Sequence, residues 1–161
     1  MIHIRPAGAL DAPAMAELLN AIIARGGTTA HTTPVTRTDI IAFMSKDPER
    51  AAWLVAEDDA GTLLGFQLIE PMDTLPPEAC DIGTFTRLGR TQSGIGSALF
   101  ERTRLEAIKL GYSWINATIR ADNAGGLAYY QSRGFEPYAT HRNIRLDDGT
   151  LVDKISKRYN L

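Results

Sequence analysis

A strand, a turn with two glycines and a helix follow one another between Asp81 and Leu110. The pattern predicts a strand from Asp81 to Arg87, and Gly94-Ile95-Gly96 leads from it into a helix that Gly111 ends. Segments of this kind occur where helices pack on a sheet. The feature therefore indicates an α/β (α+β) fold class.

The rest of the chain supplies further strands and helices in a simple order. A helix is predicted after Asp11, an N-cap, and a second one around 38–44. Turns at Gly61 and Gly149 join two hairpins. The predicted order is β, α, α, β, β, β, α, β, α, β, β, which gives a mixed sheet of about seven strands flanked by about four helices in one domain, residues 1–161.

Composition and charge limit the possible partners. Hydrophobic residues make up 44% and charged residues 22%, as in soluble globular proteins, and the net charge of −2 provides no basic field for nucleic acid. The N-terminus lacks the order of a signal peptide, and no apolar run is long enough to span a membrane. Cys80 is the only cysteine, and no zinc-binding spacing occurs. We expect a cytoplasmic protein without a metal, a nucleic-acid partner or a membrane partner.

The turn before the predicted helix has the features of a phosphate site. Glycines let the backbone approach a phosphate closely, and the first N–H groups of a helix bind anions. Arg87 and Arg90 could add charged hydrogen bonds. The alternative is a tight strand-to-helix connection without a ligand, and the patterns of a Walker loop and of a dinucleotide fold are both missing.

A second motif follows at Asn123, which precedes Tyr130 by seven residues, and Tyr130 precedes Gly134-Phe135 by four. Together the two motifs resemble those of GNAT-superfamily N-acetyltransferases, which carry a Gln/Arg-x-x-Gly-x-Gly/Ala loop after the fourth strand. Here Thr91 stands at the Gln/Arg position. The start Ile4-Arg5-Pro6-Ala7 is similar to that of the phosphinothricin-acetyltransferase-like branch.

The resemblance implies a mostly antiparallel sheet whose fourth and fifth strands splay apart around acetyl-CoA, a co-substrate. Backbone groups of 84–87 and 115–117 would then bind the pantetheine, and the glycine turn would hold the pyrophosphate. The implied cofactor-binding residues are Phe85, Thr86, Arg87, Thr91, Gln92, Ser93, Gly94, Ile95, Gly96, Ser97, Asn123, Gly126 and Tyr130. Asn123 could instead be only an N-cap.

Amine acetylation requires a neutral amine, a stabilised oxyanion and a proton for the departing thiolate. By its place in the motif, Tyr130 would donate that proton, while neighbouring Tyr129 points about 100° away on the helix and is interpreted as core packing. Asp81 aligns with an acidic residue of the branch and is the candidate base. The alternatives are Glu70, Glu78 and His31.

The acceptor is expected to be a primary amine on a small molecule, such as an amino acid or an analogue. The implied substrate-binding residues are His31, Thr32 and Asn116. The branch often has an acid before the loop proline, whereas this chain has Thr33, which argues against phosphinothricin itself. A non-catalytic acyl-CoA sensor and a peptide or protein N-acetyltransferase stay open as alternatives, and the resemblance also makes a homodimer possible.

Overall fold

The computed structural model describes residues 1–89 and 94–161, so the contacts predicted for Arg90, Thr91, Gln92 and Ser93 lie outside the described residues. Within these ranges the chain forms seven strands and four α-helices in the predicted order. The strands are β1 (His3–Pro6), β2 (Ala52–Glu57), β3 (Leu63–Glu70), β4 (Ala79–Thr86), β5 (Trp114–Arg120), β6 (Glu136–Arg145) and β7 (Leu151–Asn160). The helices are α1 (Ala12–Arg25), α2 (Arg37–Ser45), α3 (Ile95–Lys109) and α4 (Ala124–Ser132).

All seven strands lie in one sheet, in the order β1-β2-β3-β4-β5-β7-β6. Every neighbouring pair is antiparallel except β4 and β5, which are parallel. Parallel strands need a crossover connection, and here that crossover is α3. The predicted mixed and mostly antiparallel sheet is confirmed.

The helices cover the sheet in two pairs, one on each face. Side chains alternate along a strand, so Val55 and Phe66 pack with α1 and α2, while Leu54 and Leu64 pack with α3. A second group on the α3 side, which includes Ile115 and Phe135, packs beneath α4. Each polar side chain of β4 and β5 therefore faces either the layer of α1 and α2 or the layer of α3 and α4.

Two helix starts differ in detail from the prediction. Helix α2 begins at Arg37, because the N-cap Thr36 and Asp39 in the first turn form a reciprocal capping box. Asp11 is the N-cap of α1, but its carboxylate accepts from the backbone N–H of Gly8 and from Arg5 rather than from an N–H of α1. None of the helices in the described ranges is both long enough and apolar enough to cross a membrane.

Candidate active site

The pairing between β4 and β5 stops halfway along both strands. In the described residues it covers Ala79–Asp81 against Trp114–Asn116, and beyond Asp81 the strands have no register partners in each other. The splay predicted from the family resemblance is therefore present. The range predicted for β5 began two residues early, because Ile115 and Asn116 are still paired. A cavity of about 860 Å³ lies at this opening.

The start of α3 forms one wall of the cavity. Gly94, the N-cap, has a backbone φ of 97°, which residues other than glycine rarely adopt. A Cβ on Gly96 would lie 2.6 Å from Cε1 of Tyr129, so only glycine lets α3 and α4 approach this closely. Ile95 and Ser97 line the same wall. The free N–H groups of the first turn can bind an anion here.

Arg87, for which a phosphate contact was predicted, does not line the cavity. Its Nε donates to the carbonyl oxygen of Leu63 at 2.6 Å, and its guanidinium lies 3.8 Å from Glu17. Arg133 lines the cavity instead and donates to Oγ of Ser97 at 2.8 Å. Its Nε is buried without a hydrogen-bond partner in the described part of the chain. Arg133 was missed, although it directly precedes the Gly134-Phe135 of the second motif.

Asn123 caps α4, as the alternative interpretation predicted. Its Oδ1 accepts from the N–H of Gly126 at 3.0 Å, and its Nδ2 donates to the carbonyl oxygen of Thr28 at 3.0 Å. The side chain thus joins α4 to the loop after α1. Asn123 and Gly126 both line the cavity, as do Phe85 and Thr86.

Tyr130 is buried and also lines the cavity, with its hydroxyl 2.8 Å from Oγ1 of Thr84. Burial raises the pKa of Tyr130 above its usual range, so the phenol stays protonated near neutral pH. Tyr129 packs against Tyr130 with ring centroids 4.9 Å apart, consistent with core packing. Its hydroxyl also donates to the carbonyl oxygen of Gly96 at 2.7 Å, which the sequence did not indicate.

Asp81 lies at the last pair before the splay, on the α1 and α2 face. Its Oδ1 accepts from Nδ2 of Asn116 at 2.9 Å. Asn116, for which a contact with the acceptor was predicted, is only 2% exposed and does not line the cavity. Tyr138 donates to Oδ1 of Asn116, and Nδ2 of Asn116 also donates to the hydroxyl oxygen of Thr118.

Burial raises the pKa of Asp81 to about 7, and the Asn116 hydrogen bond offsets part of that rise. Glu70 lies directly opposite Asp81 in the antiparallel register of β3 and β4, and its negative charge raises the pKa of Asp81 further. Lys154 opposes this effect from β7. Burial also raises the pKa of Glu70, which lines the cavity, whereas Glu78 is exposed and does not.

Aromatic rings line part of the cavity near the loop that follows α1. The ring of His31 lies 6.5 Å from Phe43 and 6.3 Å from Phe85, and partial desolvation there lowers the pKa of His31. Thr32 lines a smaller adjoining cavity of about 520 Å³, which His31 also borders. Among residues 1–89 and 94–161, no group of three or more His, Cys, Asp or Glu side chains is placed to hold a metal ion.

No family model matches the chain. Over 153 residues it is 27% identical to the "Putative phosphinothricin acetyltransferase YwnH" of Bacillus subtilis (strain 168), an alignment that covers 94% of this chain and 90% of that protein. It is 25% identical to a solved "putative phosphinothricin N-acetyltransferase", with a TM-score of 0.88 and coverage of 100% and 99%. These two likenesses confirm the resemblance to GNAT acetyltransferases and to the phosphinothricin-acetyltransferase-like branch.

The fold also matches that of a GNAT-superfamily phosphinothricin acetyltransferase (Pat) from Sinorhizobium meliloti, solved in complex with AcCoA. That match has a TM-score of 0.88 at 19% identity and covers 99% of this chain and 88% of the other. At this identity the likeness shows the fold alone.

Proposed function

Since the chain is an acyl-CoA-dependent acetyltransferase of the GNAT type, we propose that it transfers the acetyl group of acetyl-CoA to a primary amine of a small molecule. The observation that carries this proposal is the opening between β4 and β5. Asp81 faces one side of the sheet there, and Tyr130 approaches from the helices on the other. Amine and thioester can therefore meet in one ternary complex.

Asp81 is proposed as the base that removes a proton from the attacking amine. An alkyl amine has a pKa near 10.4, so only about one molecule in a thousand is neutral at pH 7. A carboxylate whose pKa is about 7 is a far better proton acceptor at neutral pH than an ordinary aspartate. The hydrogen bond from Asn116 occupies Oδ1, which leaves the other oxygen of Asp81 for the amine.

Tyr130 is proposed to protonate the thiolate as the carbon–sulfur bond breaks. Because its pKa is raised, the phenol keeps its proton until a strong acceptor is present, and the developing thiolate is such an acceptor. A backbone N–H of the splayed part of β4 is proposed to polarise the thioester carbonyl, as backbone donors do in acyl transfer generally. The start of α3 and Arg133 are proposed to bind the pyrophosphate.

An acceptor with an anionic group, such as an amino acid or an analogue, fits the charges of the cavity. Lys46 and Lys154 line it together with the two carboxylates of Glu70 and Asp81, so a zwitterion meets both signs of charge. The names of two relatives, "Putative phosphinothricin acetyltransferase YwnH" and "putative phosphinothricin N-acetyltransferase", support the same class.

Release of free thiol from acetyl-CoA tests the proposal. The panel should contain amino acids, their esters, simple alkyl amines and short peptides, and both substrates should be varied. We expect turnover of free amino acids, with intersecting double-reciprocal lines. Parallel lines would exclude the ternary complex. Acetyl-CoA binding without turnover of any amine would favour a sensor, and turnover of peptides alone a peptide acetyltransferase.

Two matched variants test the base. We expect Asp81→Asn to lower kcat by roughly 100-fold or more, as is typical when a general base is lost. Glu78→Gln, at an exposed carboxylate near the start of the same strand, should stay within about 2-fold of the unchanged protein, because it removes no cavity group. If Glu70→Gln but not Asp81→Asn abolished turnover, the base would be Glu70.

A further inference from the structure

A row of polar groups runs behind Tyr130, between the sheet and the α3–α4 layer. It consists of the carbonyl oxygen of Gly96, the Tyr129 hydroxyl, the Gln67 amide nitrogen, the Thr84 hydroxyl and the Tyr130 hydroxyl. The successive distances are 2.7, 3.1, 2.9 and 2.8 Å. Gln67 is 0% exposed, although an uncharged polar side chain in the middle of a sheet is costly to bury.

The chemistry of the first three groups determines which atom donates at each step. A carbonyl oxygen can only accept, so the proton of Tyr129 is used on Gly96. The oxygen of Tyr129 must then accept from Gln67, which means that the amide nitrogen, and not the amide oxygen, faces this row. The same nitrogen lies 2.9 Å from Thr84 and can only donate to it.

The last contact has two possible directions, and the proposed acid role selects one. To give its proton to a sulfur atom in the cavity, Tyr130 must point that proton away from Thr84. The 2.8 Å contact then requires Thr84 to donate to the Tyr130 oxygen. Thr84 can do so because Gln67 already donates to it and needs no proton in return. When Tyr130 loses its proton, the same hydrogen bond stabilises the phenolate.

We propose that Gln67 and Thr84 are positioning residues for the acid step: Gln67 orients the Thr84 hydroxyl, and Thr84 donates to the Tyr130 oxygen as the phenol protonates the leaving thiolate. The inference rests on the proposed acid role of Tyr130. It assigns a function to the buried Gln67, which is separated from Tyr129 by 62 residues. The row also joins the acid to the α3 wall at which acetyl-CoA is proposed to bind.

Kinetics of single and double variants test this proposal. Thr84→Val keeps the shape of the side chain but removes the hydroxyl, and we expect kcat to fall about 10- to 100-fold, the size of a hydrogen bond to a charged group. The KM for acetyl-CoA should stay within about 2-fold, because no contact that binds the ground state is removed. Thr84→Ser, which restores the hydroxyl, should recover most of the rate.

The double variant separates positioning from a general structural role. If Thr84 acts through Tyr130, then Thr84→Val in the Tyr130→Phe background should cause no further loss of kcat. A further loss equal to that of the single variant would overturn the inference, as would normal turnover by Thr84→Val. Unchanged turnover by Tyr130→Phe alone would instead remove the acid role itself, so the two failures are distinguishable.

A substitution at Gln67 provides a second test in case the Thr84→Val protein does not fold. Gln67→Met conserves volume and leaves Thr84 without its donor, so kcat should fall by roughly 3- to 10-fold, the net size of a neutral hydrogen bond. Again the loss should vanish in the Tyr130→Phe background. A loss that persists there would show that Gln67 serves packing alone.

Discussion

Asp81 combines two properties that usually exclude each other, a buried position and a role that needs the charged form. Its pKa of about 7 lies well above the value near 3.9 expected in the unfolded chain. Between these two values the folded protein binds a proton that the unfolded chain does not, so stability decreases as pH rises through this range. The proposed base is therefore expected to cost the protein stability at the pH at which it works.

Unfolding of an Asp81→Asn variant measures that cost. Asparagine has the same shape, can still accept from Asn116 and never becomes charged. We expect the free energy of unfolding of the variant, relative to that of the unchanged protein, to be higher at pH 8 than at pH 5 by on the order of 3 kcal/mol. Denaturant unfolding at both pH values gives this difference, with Glu78→Gln as an exposed control. An equal offset at pH 5 and pH 8 would contradict the raised pKa.

Helices α3 and α4 approach each other closely at Gly96 and Tyr129. The Tyr129 ring occupies the space that a Cβ at position 96 would need, and its hydroxyl bonds the carbonyl oxygen of the same residue. We expect Gly96→Ala to lower the free energy of unfolding by about 1–3 kcal/mol, the usual cost of overpacking. Affinity for acetyl-CoA should also fall, since the start of α3 must move.

Gly125→Ala is the matched control for Gly96→Ala. A Cβ there would have Oδ1 of Asn123 as its nearest neighbour, at 3.8 Å, so nothing is crowded. Alanine also favours a helix over glycine, and stability should rise by up to about 1 kcal/mol. Chemical denaturation of both variants provides the comparison. Equal destabilisation by the two substitutions would mean that the Tyr129 contact is not the cause.

The sequence predicted the elements better than the faces they bury. Every strand and helix was predicted in order, because turns and periodicity are local signals. In α3, for example, the apolar Leu105 is 52% exposed, while the buried stripe runs through Leu99, Thr103 and Ala107. Spacing of four residues sets that stripe, so hydrophobicity alone does not show which residues of α3 are buried.

For the molecule as a whole, the motifs predicted residues that line the cavity but not their supporting contacts. Gly94, Asn123 and Tyr130 belong to local patterns, and all three line the cavity. Asn116 on β5, the partner of Asp81, lies 35 residues from it in the chain. Thr84 on β4, the partner of Tyr130, lies 46 residues from it. Only strand register and helix packing bring such pairs together, and a single sequence does not specify either.

The two sides of the sheet are linked through the loop after α1, which borders the acceptor side of the cavity. Asn123 donates to the carbonyl oxygen of Thr28, and Nη1 of Arg120 donates to that of Thr29 at 3.1 Å. Asp122 fixes the guanidinium with contacts of 3.0 and 2.8 Å. The position of this loop, which is proposed to contact the acceptor, is therefore set by the segment that leads from β5 into α4.

Arg120→Leu should remove one hydrogen bond that holds the loop after α1, without disturbing the start of α3, where acetyl-CoA is proposed to bind. We expect the KM for the amine to rise about 5- to 20-fold, the equivalent of one or two hydrogen bonds, while the Kd for acetyl-CoA changes less than about 2-fold. Amide hydrogen exchange in residues 27–33 should become faster in the unliganded variant. Arg102→Leu is the control, because Arg102 pairs with Glu106 one turn further along α3. An unchanged KM together with faster exchange would mean that the loop moves without contacting the acceptor.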